Sequence, residues 1–216
     1  AMVRKLTSEG YTNLLTPRSS ELNLIIQQDV LDYFLEHSPE YVFLCAAKVG
    51  GILANATKPA EFIYQNLMIQ NNVIHVSHIS KVKKVLILGS SCIYPKYAQQ
   101  PIKEEYLLSG ALEETNKAYA VAKIAGLMTA KAYHDQYGMN IISAMPTNLY
   151  GPHDNFDLKT SHVLPALIRK FHEAKPDKAV TLWGTGTPKR EFLFVDDLAD
   201  ALLFLMLNHN DPEHVN

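Results

Sequence analysis

Short apolar runs alternate along this chain with longer stretches whose apolar residues recur every three or four positions. Tyr41-Val42-Phe43-Leu44-Cys45-Ala46, Lys84-Val85-Leu86-Ile87-Leu88 and Asn140-Ile141-Ile142-Ser143-Ala144-Met145 are predicted strands, short and rich in β-formers. Gln28 to His37, Pro59 to His78, Val163 to Glu173 and Val195 to Leu207 are predicted helices, Pro59 suiting a first turn. A further helix carries Tyr119 and Lys123. Asn13-Leu14-Leu15-Thr16 and Val180-Thr181-Leu182-Trp183 read as two short strands, and residues 1 to 9 as the latter part of a helix capped by Gly10.

This alternation predicts an α/β fold, a doubly wound parallel sheet covered by helices on both faces. Ligands of such sheets bind beyond the C-terminal strand ends. The segments Ala46 to Gly51, Gly89 to Cys92 and Pro146 to Tyr150 are therefore expected to face one crevice. Residues 1–150 read as a dinucleotide-binding domain. Residues 151–216, where the pattern loosens, read as part of a substrate-binding region with segments returning to the main domain. No strand and no Gly-rich phosphate loop precede the first helix, so the chain is expected to be a fragment that binds a dinucleotide weakly.

The 216 residues are 47% hydrophobic and 19% charged, with a formal net charge of −2. No polybasic patch points to nucleic acid or an anionic membrane. Cys45 and Cys92 are far apart in sequence, form no C-x-x-C, and fit a reduced, cytoplasmic protein. No run is long and apolar enough to span a membrane, and no metal is expected.

Tyr119 and Lys123 stand four residues apart, on one face of a helix. A cation beside a tyrosine favours the phenolate and makes the hydroxyl a better acid. Such a pair also occurs on ordinary helix surfaces, just as Ser90 could be a plain turn residue after its strand. Cys92 lies two residues past Ser90, on the same side if the chain is extended. A thiolate there could take a proton from carbon next to a ketone; a buried packing role is the alternative, and the one expected of Cys45.

Four blocks make the pattern more specific. They are Ala46-Ala47-Lys48-Val49-Gly50-Gly51-Ile52, Gly89-Ser90-Ser91-Cys92-Ile93-Tyr94-Pro95-Lys96, Met145 to Asn155, and Trp183 to Phe192. Together with the Tyr–Lys pair they resemble the extended short-chain dehydrogenase/reductase family, over essentially the whole chain. Within it they are similar to members that act on GDP-4-keto-6-deoxy-D-mannose by epimerisation at C3 and C5 and NADPH-dependent reduction at C4.

The resemblance implies roles. Ser90, Tyr119 and Lys123 are the catalytic trio, Cys92 the base, and His162 the acid on the opposite face of the sugar. NADP(H) is the implied cofactor. Arg18, Glu21 and Leu22 would meet its adenine end, and Ala46, Ala47, Lys48 and Asn66 would lie along it. Leu88, Gly89, Ser90, Ser91, Pro146, Thr147, Asn148, Leu149 and His162, with Tyr119 and Lys123, would surround the nicotinamide half. Asn148, Lys170, Trp183 and Arg190 are the implied contacts to the GDP-sugar, and a homodimer is the implied assembly. The segment around Ser90 has no Asp or Glu, which argues against a dehydratase. A nucleotide-sugar 4-epimerase and a non-catalytic remnant without a phosphate loop remain the rival readings.

Overall fold

A computed structural model describes residues 1–216 apart from Lys159, Trp183 and Pro188. The helices are α1 (Met2–Ser8), α2 (Gln27–His37), α3 (Ile52–Thr57), α4 (Pro59–Ile79), α5 (Lys117–Tyr137), α6 (Val163–His172) and α7 (Val195–Asn208). The strands are β1 (Tyr41–Leu44), β2 (Lys84–Leu88), β3 (Ile141–Ala144), β4 (Asn148–Tyr150) and β5 (Phe192–Phe194).

The first three strands form a parallel sheet in the order β1-β2-β3. An isolated bridge from Ala144 to Val215 extends it by one residue of chain. Because side chains alternate along a strand, β2 feeds two cores. Val85 and Ile87 join Val30, Phe34, Val73, Ile74, Ile124 and Leu127, which come from α2, α4 and α5. Leu86 joins Ile142 and Ala144 against Leu198, Leu202 and Met206 of α7. The helices therefore cover both faces, as a parallel sheet requires. The parallel register puts Leu44, Leu88 and Ala144 at one edge.

Two details lock this arrangement. Gln70, buried on α4, donates from Nε2 to the Ala122 carbonyl of α5. Gly126 makes room for it: a Cβ there would stand 2.4 Å from Gln70 Oε1. Lys84 begins β2 almost fully buried, and its ammonium donates to the carbonyls of Leu205 (3.1 Å), Met206 (2.7 Å) and His209. The Leu205 carbonyl also accepts from His209 N at 3.0 Å, and the cation adds to that bond and takes up the carbonyls beyond it, so it closes α7.

The predicted helices and the three long strands are present within a few residues of their expected limits. Gly10 adopts φ +87 just past α1, as a helix-ending glycine does. Asn13–Thr16 is not a strand: no neighbouring strand pairs with it among the described residues, and Leu15 is exposed. Val180–Leu182 is not a strand either; the Thr181 carbonyl accepts from the Lys170 side chain instead of from a ladder. Trp183 lies outside the described residues. The parallel pair β4 and β5 was not foreseen, because three residues are too few to show a period of two.

Candidate active site

Beyond the end of β2 the chain turns sharply. Gly89 is buried where a Cβ would stand 2.1 Å from Met145 Sδ, so its missing side chain leaves the room that the Met145 thioether fills. Ser90 then caps a single 3-10 turn, Ser91–Ile93. Its Oγ accepts from the Cys92 backbone N–H at 3.5 Å. The expected extended course from Ser90 to Cys92 is thus replaced by a turn, yet the two side chains still meet. The Ser90 hydroxyl lies close enough to the Cys92 thiol and the Tyr119 hydroxyl to favour the charged form of each.

Tyr119 and Lys123 come from the first half of α5. The Phe62 ring, from α4, meets the Tyr119 ring edge-on at 6.4 Å. Lys123 Nζ lies 5.8 Å from the Tyr119 ring centroid and donates to the Leu88 carbonyl at 2.8 Å. Lys123 is 8% exposed, unusual for a lysine. An ammonium has three N–H donors, and among the described residues one of them is used here. The other two are available to an oxygen-rich ligand such as ribose, so the residues present fit a nicotinamide nucleotide.

The electrostatics correct one expectation. Burial pushes the Tyr119 hydroxyl well above its ordinary value, and proximity to Cys92 adds to the rise; the Ser90 hydrogen bond opposes it without winning. Tyr119 is therefore held as a neutral hydroxyl, a proton donor, and not as a phenolate. Burial also raises the Cys92 thiol, against the pull of Ser90 and Lys123. It lowers Lys123 to about 8, with Cys92 and Cys45 pulling the other way. Among the described residues no carboxylate acts on any of the three.

Cys45 does not occupy the buried packing position expected of it. It lies just past the end of β1 and is exposed, although enough protein surrounds its sulfur for desolvation to raise the thiol. Asn66 is also placed differently. It is 2% exposed, and its amide is occupied: Oδ1 accepts from Lys48 N at 2.9 Å, while Nδ2 donates to Lys48 O at 3.0 Å and Phe62 O at 2.7 Å. It clamps the Ala46-Ala47-Lys48 segment and does not lie open along a ligand. Arg18 and Glu21 share one exposed turn, with Arg18 N donating to Glu21 Oε2 at 2.8 Å. Leu22 points into the core beneath them.

Pro146 to Leu149 lead from β3 into β4. Thr147 Oγ1 and Asn148 Nδ2 both donate to the Glu191 carbonyl, at 3.0 and 3.1 Å, pinning this segment beside β5. His162 is exposed at the start of α6. No hydrogen bond joins it to Ser90, Cys92 or Tyr119 among the described residues. Lys170 Nζ donates to Thr181 O at 3.3 Å, and Arg190 Nη1 to the adjacent Lys189 O at 2.8 Å. The structure thus brings Ser90, Cys92, Tyr119 and Lys123 into one cluster and leaves His162, Lys170 and Arg190 on outlying segments. Sequence reasoning missed Phe62 and Gln70, the side chains that set α4 against α5. Their one signal is that each lies four residues from Asn66.

A parallel sheet with such a quartet at its strand ends defines a dinucleotide-dependent epimerase/reductase fold, and comparison with known proteins agrees. The model of the NAD dependent epimerase/dehydratase family matches residues 1–216, and the chain belongs to that family. It is 59% identical over 218 residues to GDP-L-fucose synthase 1 of Arabidopsis thaliana, covering all of this chain and 68% of that protein. Among solved structures, a GDP-L-fucose synthetase from Naegleria fowleri bound to NADP is 31% identical with a TM-score of 0.89, covering 99% of this chain and 71% of that one. A GDP-mannoheptose C4 reductase from Campylobacter jejuni, with NADP bound, is 41% identical with a TM-score of 0.91, covering 100% and 75%. Curated relatives extend well beyond the matched region; the chain spans about two thirds of their length.

Proposed function

We propose that this chain carries the catalytic centre of an NADPH-dependent enzyme converting GDP-4-keto-6-deoxy-D-mannose to GDP-L-fucose. The carrying observation is the cluster of Ser90, Cys92, Tyr119 and Lys123, with a thiol where a dehydratase would need a carboxylate.

A ketone at C4 makes the protons on C3 and C5 acidic, since the resulting charge moves onto O4. Cys92 removes each proton after losing its own to solvent. The raised thiol means that few molecules hold the thiolate at neutral pH. The Ser90 and Tyr119 hydroxyls donate to O4 and hold the charge that develops there. His162 returns a proton on the opposite face of the ring, which inverts the carbon. Reduced nicotinamide supplies hydride to C4 when bound. Tyr119, neutral because it is buried, gives its proton to O4 at that step. Lys123 uses its free donors on the ribose hydroxyls and offsets the charge of the thiolate.

Arg18, Glu21 and the backbone of Leu22, whose side chain is in the core, are assigned to the adenine end of the cofactor. Leu88 to Ser91 and Pro146 to Leu149 are assigned to its nicotinamide half, and Asn148, Lys170, Trp183 and Arg190 to the GDP-sugar. Residues 1–150 are assigned to the dinucleotide domain and 151–216 to the substrate region, with α7 returned to the main sheet. Two free thiols suit a cytoplasmic enzyme. Val121 and Met128, seven residues apart on α5, are exposed together with Tyr64 of α4 and support a homodimer.

The likeness to a C4 reductase favours a second reading, in which the ketone is reduced without inversion. Incubation of the full-length protein with NADPH and GDP-4-keto-6-deoxy-D-mannose, followed by NMR of the product, separates the two. GDP-L-fucose is expected. An uninverted GDP-6-deoxyhexose would establish the reductase instead.

A further inference from the structure

The segment that carries His162 rests against the turn after β1. Gly51 N donates to the Thr160 carbonyl at 3.3 Å. A Cβ on Gly51 would stand 2.9 Å from the Ser161 carbonyl oxygen, a backbone atom with no rotamer to escape by. Gly51 has φ −66 and ψ −179, a conformation open to any residue. Space, not backbone conformation, demands glycine here.

Both sides of this contact are firmly held. On the Gly51 side, the buried Asn55 donates from Nδ2 to the Gly50 and Gly51 carbonyls, at 2.8 and 3.2 Å. Gly50 packs in turn on Phe62: a Cβ there would meet the ring at 3.2 Å. That same ring supports Tyr119. On the other side, Asp157 Oδ1 accepts from Thr160 N at 3.0 Å and Thr160 Oγ1 at 2.9 Å. The Asp157 carbonyl accepts from Ser161 N at 2.8 Å, and Asn155 Nδ2 donates to Thr160 Oγ1 at 3.0 Å. The His162 side chain is exposed, and its backbone is held between Ser161 and the first turn of α6, where its carbonyl accepts from Ala166 N at 3.1 Å.

We propose that Gly51 is a positioning residue for His162. The missing Cβ fixes the distance between the group that returns protons and the floor on which Cys92 and Tyr119 act. This rests on the epimerase reading above. An added methyl pushes the 160–162 backbone outward and withdraws His162 from the ring. Cys92, Ser90, Tyr119 and Lys123 stand on other elements and keep their places.

The consequence is chemically distinctive. The Cys92 thiolate still takes the proton from C3 or C5, leaving the charge on O4. With no donor on the far face, the thiol returns a proton to the face from which it came. In heavy water that thiol carries deuterium, so the sugar gains deuterium with its configuration unchanged.

The test compares the wild-type full-length enzyme with Gly51→Ala and His162→Asn, in heavy water with NADPH and GDP-4-keto-6-deoxy-D-mannose. NMR reads deuterium uptake and configuration separately, and loss of NADPH absorbance reads reduction. For Gly51→Ala, inverted product should form about 10- to 100-fold more slowly, the scale of an ångström-level misplacement, while exchange with retention and reduction continue. His162→Asn should show the same pattern; if it inverts normally, the role assigned to His162 fails, and with it the basis of the proposal. If His162→Asn shows the pattern and Gly51→Ala inverts at the wild-type rate, Gly51 does not position His162. Loss of reduction along with inversion in a folded Gly51→Ala protein would overturn the proposal too, since the glycine would then support the whole site. Should Gly51→Ala fail to fold, Thr160→Val loosens the same segment from the opposite side. Retained exchange without inversion there supports the proposal, and wild-type inversion refutes it.

Discussion

The quartet at the strand ends and the residues between Gly151 and Glu191 are built in opposite ways. Ser90, Cys92, Tyr119 and Lys123 are held by contacts distant in sequence: Lys123 to Leu88, Phe62 to Tyr119, Gly89 to Met145. Each stands on an element that is also part of a core. In the later region His162 and Arg190 are exposed and Lys170 is half-buried, with Lys170 donating to Thr181 O and Arg190 to Lys189 O. The first arrangement fixes geometry and shifts proton affinities through burial. The second leaves its side chains nearer to solvent. Proton and hydride chemistry needs the former; recognition of a large anionic ligand is served by the latter.

The largest expected effect falls within the quartet. Tyr119→Phe removes the hydroxyl proposed to donate to O4 and keeps the ring that meets Phe62. Turnover for reduction should fall by about 10²- to 10⁴-fold, the range of a lost general acid, with cofactor affinity little changed. Steady-state kinetics and a cofactor titration check both halves. Turnover near wild type would mean that the buried cluster is only packing.

A smaller effect should follow from disturbing the support beneath the quartet. Gly126→Val forces side-chain volume against Gln70 and its bond to Ala122. Overpacking of this kind costs about 1–3 kcal/mol. Thermal unfolding should shift down by several degrees, and reduction should slow because α5 carries Tyr119. An unchanged melting temperature would show that α4 and α5 are not coupled as described.

The smallest effect belongs to the outlying region. Arg190→Ala should leave stability within about 0.5 kcal/mol, as expected for an exposed side chain, and Lys170→Ala, at a half-buried one, should cost about 1 kcal/mol. KM for the GDP-sugar should rise roughly tenfold, the loss of one charge-assisted hydrogen bond, with kcat kept. A kcat effect as large as that of Tyr119→Phe would erase the distinction between the two regions.

The same contrast governs what could be read from the chain. Val85, Ile87 and Ile141 announce a buried sheet because their pattern answers to a core, and the Tyr–Lys spacing survives because a helix preserves it. Asn13–Thr16 misled because two leucines and a threonine favour a strand whether or not a partner strand is there. β4 and β5 were invisible because each depends on the other, more than forty residues away. The proton affinities were not legible either. A lysine beside a tyrosine argues for phenolate, but burial decides the matter, and burial belongs to the folded chain. The need for glycine at Gly51 was hidden for the same reason: its dihedral angles are ordinary, and only the approach of Ser161 makes it necessary.

The central claim is that one cluster performs two separable chemistries, with Cys92 serving only the first. Cys92→Ser keeps approximate size and leaves Ser90, Tyr119 and Lys123 in place, but a hydroxyl is a far poorer base than a thiolate. The direct measurement is NMR of the product formed by this variant in heavy water with NADPH, alongside the wild type across pH. Wild-type exchange at C3 and C5 should climb with pH through neutrality, because the raised thiol yields thiolate only as protons become scarce. The variant should incorporate little deuterium yet still oxidise NADPH, giving a GDP-6-deoxyhexose not inverted at both C3 and C5. Formation of GDP-L-fucose by Cys92→Ser at the wild-type rate would contradict the account and place the base elsewhere.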